Sequence, residues 1–323
     1  MRALVLISGG LDSALAAKLI QNQGIELIGL YFGIPFCAGK KEALSHLGIE
    51  IKYIDIKEKF LEVIKSPRYG FGSNMNPCID CKILMLQEAK GLMLEFGANF
   101  IVTGEVLGQR PMSQNKPALE LIEKRAGLEG LLLRPLSAKL LAQTIPEKQG
   151  WVRREGLFSF SGRTRKPQIA LAKELKIMEY PNPAGGCLLT DPAFAMRLKE
   201  LMAHQELTIN NVELLKMGRH FRLAANAKLV VGRDEKENGA LVNLAKESDY
   251  LFFPTDELAG PTSLGRGVFD EELIKVSCAI TCRYCDLNGK TTADIVYKKI
   301  PEKENSMLNT LPIEENRLRS LRI

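Results

Sequence analysis

No run of apolar residues in this 323-residue chain approaches the length of about 20 that a membrane-spanning helix requires. No signal-peptide pattern precedes the first strand-like run at about Arg2, which predicts a cytosolic, cytoplasmic protein. Histidine is scarce. The three present, His46, His204 and His220, are isolated and make no ligand pattern. There is no internal repeat. The first glycine pair is not followed by the Gly-Lys-Ser/Thr ending of a P-loop.

What is present is ordinary in bulk, with 46% apolar and 25% charged residues, and long enough for two domains. Seven cysteines in a reducing compartment read as thiols, metal ligands or redox groups rather than disulfides. The net charge of +6 is uneven. Residues 191–323 carry 19 Lys/Arg against 20 Asp/Glu, leaving 25 against 18 in residues 1–190. Most of the excess lies in 131–170, with Arg134, Lys139, Lys148, Arg153, Arg154, Arg163, Arg165 and Lys166 opposed by Glu147 and Glu155. Such a patch suits a polyanion, or is simply a solvated surface.

In the first half, short β-rich runs at 2–7, 26–31, 51–56, 99–104 and 130–135 alternate with helical patterns at 12–23, 38–47 and 80–96. This predicts an α/β fold with a doubly wound parallel sheet. Ligands of such sheets sit beyond the carboxyl ends of the strands. The Pro/Gly-rich "YPNPAGG" at 180–186 predicts a domain boundary near 190, with domains at 1–190 and 191–300. A smaller α/β unit is expected after it, with strands at 227–232, 249–253 and 292–299, helices at 235–247 and from about 270, and a glycine-rich turn between. Residues 301–323 read as a loose polar tail.

Three stretches carry chemistry. The first is Ser8-Gly9-Gly10-Leu11-Asp12-Ser13, between a strand and a helix. Its glycines let backbone approach an anion, the helix start offers N–H groups, the serines add hydroxyls, and Asp12 can cap the helix or hold Mg²⁺. The second is "NPCIDCKILML", with Cys78 and Cys81 before a long helix, where a helix start favours thiolate. Cys187 in "PAGGCLLT" is the natural third thiol. The third is "VTGEVLGQRPMSQN" at 102–115, a loop able to hold ribose, a base edge or Mg²⁺.

The Ser8–Ser13 string resembles the SGG-x-DS mark of the PP-loop ATP pyrophosphatases, which cleave ATP between the α- and β-phosphates and pass AMP to an acceptor oxygen. That resemblance implies an adenine nucleotide alpha hydrolase-like, Rossmann-like sheet with ATP and Mg²⁺ as cofactors. Ser8, Gly9, Gly10, Leu11, Asp12 and Ser13 would bind the nucleotide. The loop at 102–115 closely resembles the corresponding segment of the tRNA 4-thiouridine synthetase (ThiI-like) domain, a relative of the tRNA 2-thiouridylases (MnmA-like). Gly104, Glu105, Gly108, Gln109, Ser113 and Gln114 match, and segments 32–44 and 132–136 are comparable. Gly104, Glu105 and Gln109 then join the nucleotide site, and Asp12, Cys78, Cys81 and Cys187 the catalytic group.

The implied function is an ATP-dependent tRNA sulfurtransferase that adenylates a uridine carbonyl oxygen and replaces it with sulfur. The three cysteines carry a persulfide or ligate a 4Fe–4S cluster, and the cluster is favoured because no sulfur-carrier domain is visible. The partners implied are tRNA and a sulfur donor, a cysteine desulfurase or free sulfide. A small-molecule adenylating enzyme and a non-catalytic RNA-binding protein are the rivals.

The family usually carries an RNA-binding module ahead of this domain, so another RNA grip is expected here. Residues 228–267 resemble the RNA-binding domain of the NFACT family, although "YLFFP" replaces its Trp-Phe-His strand. Arg153, Arg154, Arg163, Arg165 and Lys166, interleaved with Trp151, Phe158 and Phe160, are expected to add charge and stacking, with core packing the alternative for the rings. "CAITCRYC" at 278–285 has the spacing of a radical-SAM loop. Ile274, Cys278, Cys282 and Cys285 also share one helix face, which favours packing over metal binding.

Overall fold

The computed structural model describes residues 1–36, 48–177, 180, 187–204 and 206–323. The candidate helix at 38–47, Cys37, most of the segment at 32–44, and the Pro/Gly stretch 181–186 lie outside them. Two compact units divide the chain at Met1–Asp191 and Pro192–Ile323. Among the described residues no helix is long and apolar enough to cross a membrane.

Unit one contains β1 (Arg2–Leu6), α1 (Leu11–Gln21), β2 (Glu26–Gly33), β3 (Glu50–Asp55), α2 (Lys57–Lys65), α3 (Cys78–Leu92), β4 (Phe100–Val102), α4 (Lys116–Ala126), β5 (Leu132–Leu133), α5 (Ile145–Lys148) and α6 (Lys166–Glu174). The strands run parallel in the order β3-β2-β1-β4-β5. Side chains alternate along each strand, so both faces must be covered. Ala3, Val5, Phe100 and Val102 join α1 and α6 residues such as Leu15 and Leu171 in one core. Leu4 and Ile101 join Leu86 of α3 and Ile122 of α4 in the other. The boundaries of α4 are local chemistry. Asn115 accepts from the Ala118 N–H at 2.9 Å, Pro117 sits in the first turn, and Gly127 ends the helix at φ 66°.

Because the chain builds outward from β1 to β3 and then returns to β4 beside β1, the sheet reverses between β1 and β4. Such a reversal opens a crevice at the carboxyl ends. The Ser8–Ser13 loop leaves β1 there, and the Gly104–Gln109 loop leaves β4.

Unit two contains α7 (Pro192–Ala203), α8 (Ile209–Leu214), β6 (Arg219–Ala224), β7 (Ala227–Val231), α9 (Glu235–Leu244), β8 (Tyr250–Pro254), β9 (Ser263–Gly267), α10 (Glu271–Arg283), β10 (Ala293–Lys299), β11 (Ser306–Thr310) and α11 (Glu315–Leu321). Its six strands are antiparallel, in the order β11-β10-β8-β9-β7-β6. Leu229, Val231 and Phe252 face a core closed by α10 and α11, while Val230 and Leu251 face one closed by α8 and α9.

Two expectations fail here. The glycine-rich turn contains β9, where Gly265 is needed because a Cβ would lie 2.7 Å from the Phe269 ring and 3.0 Å from Phe252. The loose tail is instead β11 and α11, with Ile313 and Leu318 buried in the core. Two apolar anchors suffice to order a segment that is polar elsewhere.

Candidate functional site

At the end of β1 the chain makes a tight turn through Gly9, at φ 77°. The Ser13 hydroxyl donates to the Gly10 carbonyl at 2.8 Å and accepts from the Ser8 N–H at 3.3 Å. The loop is thereby held by its own serines. Asp12 does not cap the helix, since Gly10 is the N-cap and has no side chain to offer. Its Oδ2 accepts from Gln109 Nε2 at 2.9 Å, and its Oδ1 is buried with no partner. Burial raises the Asp12 pKa above the ordinary carboxylate value, against the Gln109 hydrogen bond and the charges of Arg165 and Arg110. A buried, unpartnered carboxylate oxygen beside an anion loop fits a Mg²⁺ ligand. Gln109 Oε1 is likewise buried and unpartnered.

Gly104 joins the two loops. A Cβ there would lie 2.5 Å from the backbone of Asp12 and Ser13, so the end of β4 presses directly on the nucleotide loop. Glu105, the next residue, has a different task from the one expected. Its carboxylate ion-pairs with Lys82 of α3, accepts from Arg134 Nε at 2.9 Å, and takes the Thr103 hydroxyl at 3.2 Å. Arg134 in turn reaches Glu123 of α4 at 2.8 Å. Burial alone would raise the Glu105 pKa, but Lys82 and Arg134 outweigh it and hold the carboxyl at about 2. With both oxygens engaged, Glu105 ties α3 to β4 rather than facing a ligand.

The thiols sit beyond the same edge of the sheet. Cys78 is the first residue of α3, and its Sγ donates to Asn76 Oδ1 at 3.0 Å. The loop before it is bound to the segment after Cys187. Asn74 donates to the Thr190 carbonyl at 2.8 Å, and the Met75 N–H to Leu189 at 3.1 Å. Leu188 N–H also bonds to the Phe36 carbonyl beyond β2, at 3.0 Å. These bonds bring Cys187 into electrostatic reach of Cys78 and Cys81. All three are half-buried and outside any disulfide.

The expected thiolate bias is reversed. Burial raises the pKa of both Cys78 and Cys81, and the neighbouring thiols add to it, while Lys82 and Arg110 pull down. A helix start cannot offset this desolvation. The all-thiol donor set suits an iron–sulfur cluster in kind. Among the described residues, however, no three His, Cys, Asp or Glu side chains converge as a metal site. Among the described residues the three thiols are near one another without converging as cluster ligands.

The expected RNA-binding residues divide. Arg153, Arg163 and Lys166 are exposed. Arg154 is committed to Glu147 at 2.5 Å and the Leu141 carbonyl at 3.0 Å. Arg165 acts on Asp12. Trp151, Phe158 and Phe160 pack against the core, the last two with ring centroids 4.8 Å apart, which leaves them poorly disposed for stacking on bases. Cys278 and Cys282 are fully buried in the core of unit two, and Cys285 donates to the Thr281 carbonyl. Lys82 and Arg110 were not singled out from the sequence, although Lys82 directly follows Cys81 and Arg110 follows Gln109, and Arg134 stood only in the basic patch and the comparable segment 132–136.

Comparison with known proteins fits this division. The family model described as thiamine biosynthesis protein (ThiI) matches residues 1–140, and the one described as NFACT protein RNA binding domain matches 218–322. A tRNA-specific 2-thiouridylase MnmA of Helicobacter hepaticus is 32% identical over 120 residues, 32% of this chain and 34% of its own. A probable tRNA sulfurtransferase of Thermococcus kodakarensis is 30% identical over 115 residues, 33% of this chain and 30% of its own. The chain thus spans about a third of the length of these curated relatives. A solved 4-thiouridine synthetase–RNA complex with bound ATP aligns at 20% identity and TM-score 0.36, over 67% of this chain and 52% of its own. Glycine turn, β4 loop and antiparallel second unit therefore fall within two recognisable pieces: residues 1–140 are similar to the ThiI family, and residues 218–322 to the NFACT RNA-binding domain.

Proposed function

We propose that this chain is a cytoplasmic ATP-dependent tRNA sulfurtransferase. The Ser8–Ser13 loop and Asp12 hold ATP, with Mg²⁺ arriving on the nucleotide. A uridine carbonyl oxygen attacks the α-phosphorus, pyrophosphate leaves, and the oxygen becomes part of an AMP leaving group. A persulfide on one of Cys78, Cys81 and Cys187 attacks the activated carbon, and AMP departs. A second thiol then attacks the Sγ of the first cysteine, forming a protein disulfide and releasing the transferred sulfur as the thiocarbonyl on the base. A thiol reductant resets the disulfide, and a cysteine desulfurase or another sulfane donor reloads the cysteine. The fused NFACT-family unit is read as part of the tRNA grip.

One observation carries this reading. Gly104 is packed on the backbone of Asp12 and Ser13 while its neighbour Glu105 pairs with Lys82, next to Cys81, and Arg110 is in electrostatic reach of Asp12, Cys78 and Cys81, so the Ser8–Ser13 loop and the thiols are close together. A base adenylated at the loop would need to move little to meet sulfur.

The test is twofold. Purified protein should release AMP and pyrophosphate from ATP in a tRNA-dependent manner, and tRNA nucleosides from a deletion strain should lack one thiouridine by mass spectrometry. Pyrophosphate release stimulated by a free metabolite but not by tRNA would move the reading to a small-molecule adenylating enzyme. Absence of ATP binding would leave only an RNA-binding role.

A further inference from the structure

The nucleotide edge has a second wall to which the scheme above gives no task. Ser137, fully buried, builds it by accepting from the Leu107 N–H at 2.9 Å and donating to the Phe160 carbonyl at 2.7 Å. The stretch before α6 is thereby laid along the β4 loop. Leu107 pairs with Ser161, and the Gly162 N–H donates to the Leu107 carbonyl at 2.8 Å. From Gly162, at φ 82°, the chain turns into α6.

α6 lies beside α1 and points the same way. At one end Arg165, its N-cap, acts on Asp12 in the first turn of α1. At the other, Leu171 and Leu175 line one cavity with Leu19 and Gln23. Two helix N-termini therefore meet at the crevice, and each favours an anion.

An independent feature marks this wall as a ligand surface. Gln168, in the first turn of α6, is 1% exposed, and neither its amide nitrogen nor its amide oxygen has a hydrogen-bond partner. Arg165 Nε is also buried without one. Groups of this kind destabilise the empty protein, and a ligand that satisfies them explains their presence.

Building on the nucleotide chemistry proposed above, we propose that Arg165 and Gln168 form the second half of the grip on the departing pyrophosphate. The Ser8–Ser13 loop holds one side of the β,γ-phosphates. The Arg165 guanidinium, whose planar fork suits phosphate, and the Gln168 amide N–H hold the other. Arg165 is then a nucleotide residue and not part of the RNA surface with Arg153, Arg163 and Lys166.

Calorimetric titration of the full chain with inorganic pyrophosphate, ATP and AMP tests this, using Arg165→Met, Arg165→Lys and Gln168→Met, with exposed Arg153→Met for contrast. Arg165→Met and Gln168→Met should weaken pyrophosphate and ATP by about tenfold or more and AMP by less than about twofold, with Arg165→Lys intermediate. Arg153→Met should leave pyrophosphate affinity unchanged. Gln168→Met should also melt higher than wild type without ligand, having lost an unsatisfied amide, yet gain less from pyrophosphate. Unchanged pyrophosphate affinity in both variants, or loss of tRNA affinity alone in Arg165→Met, would overturn the proposal. If wild type binds ATP and the variants match it, this inference fails and the sulfurtransferase reading stands. If wild type binds pyrophosphate through Arg165 but not ATP, the sulfurtransferase reading fails and Arg165 and Gln168 remain only as a pyrophosphate site. Binding of neither removes both.

Discussion

The chain holds two cysteine trios, and they differ in everything except composition. Cys278 and Cys282 of α10 and Cys285 just past its end have the tidier motif spacing, and their neighbours are apolar side chains and backbone carbonyls. Burial pushes the Cys278 and Cys285 thiols up to about 12, with Cys282 adding to it. Cys78, Cys81 and Cys187 come from two distant segments joined by the Asn74–Thr190 and Met75–Leu189 bonds. Cys78 and Cys81 too are raised by burial, but Lys82 and Arg110 oppose it. Spacing alone would choose the packed trio. Nearby cations and an adjacent glycine loop are what set the first trio apart from the second.

The sharpest way to break that comparison is substitution. Cys78→Ser and Cys187→Ser should each lower tRNA thiolation per folded molecule by about 10³-fold or more, as loss of a nucleophile does. Cys278→Ser should leave it within about twofold. Equal losses in both trios, in protein shown to be folded by near-UV circular dichroism, would erase the distinction.

Next in size is the ion network under the first trio. Glu105→Gln strands Lys82 and half of Arg134 and should destabilise unit one by about 3–5 kcal/mol in urea unfolding. This network also has a pH signature. The folded carboxyl titrates near 2 against an ordinary 4.5, so its contribution is present above about pH 4.5 and is lost as pH falls toward 2. The stability gap between wild type and Glu105→Gln should shrink across that window, by up to about 3 kcal/mol. A gap independent of pH would mean that Glu105 is not ionised in the fold. The smallest effect belongs to the second trio, where Cys282→Ser should cost about 1–3 kcal/mol by burying a hydroxyl, read as a lowered melting temperature of unit two.

What the sequence made legible follows the same divide between contiguous and assembled features. β1, the Ser8–Ser13 turn and the loop after β4 are written in adjacent residues and stand where the pattern put them, while the helix expected at 80–96 runs Cys78–Leu92 and takes both cysteines into its first turn. The role of Glu105 was not readable, because its partners Lys82 and Arg134 lie 23 and 29 residues away. The thiol pKa values were misjudged from Cys78 at a helix start, since burial by Cys187's segment cannot be seen locally. Arg165 was grouped with its basic neighbours because sequence does not reveal which cation turns inward. β9 and β11 escaped notice because "SLGRG" and "SMLNT" show neither alternation nor β-branched enrichment.

The ordered end of the second unit bears on how the polypeptide matures. Ile323 donates its N–H to the His220 carbonyl, and Arg322 bridges to Phe221, so β6 is completed by residues about a hundred positions later. The parallel-sheet cores are fully synthesised by Asp191 and can condense while the ribosome is still elongating. In the antiparallel unit the outer edge of β6 stays uncovered until residues 322 and 323 have emerged. During that interval, this open strand edge is where a chaperone would be most useful.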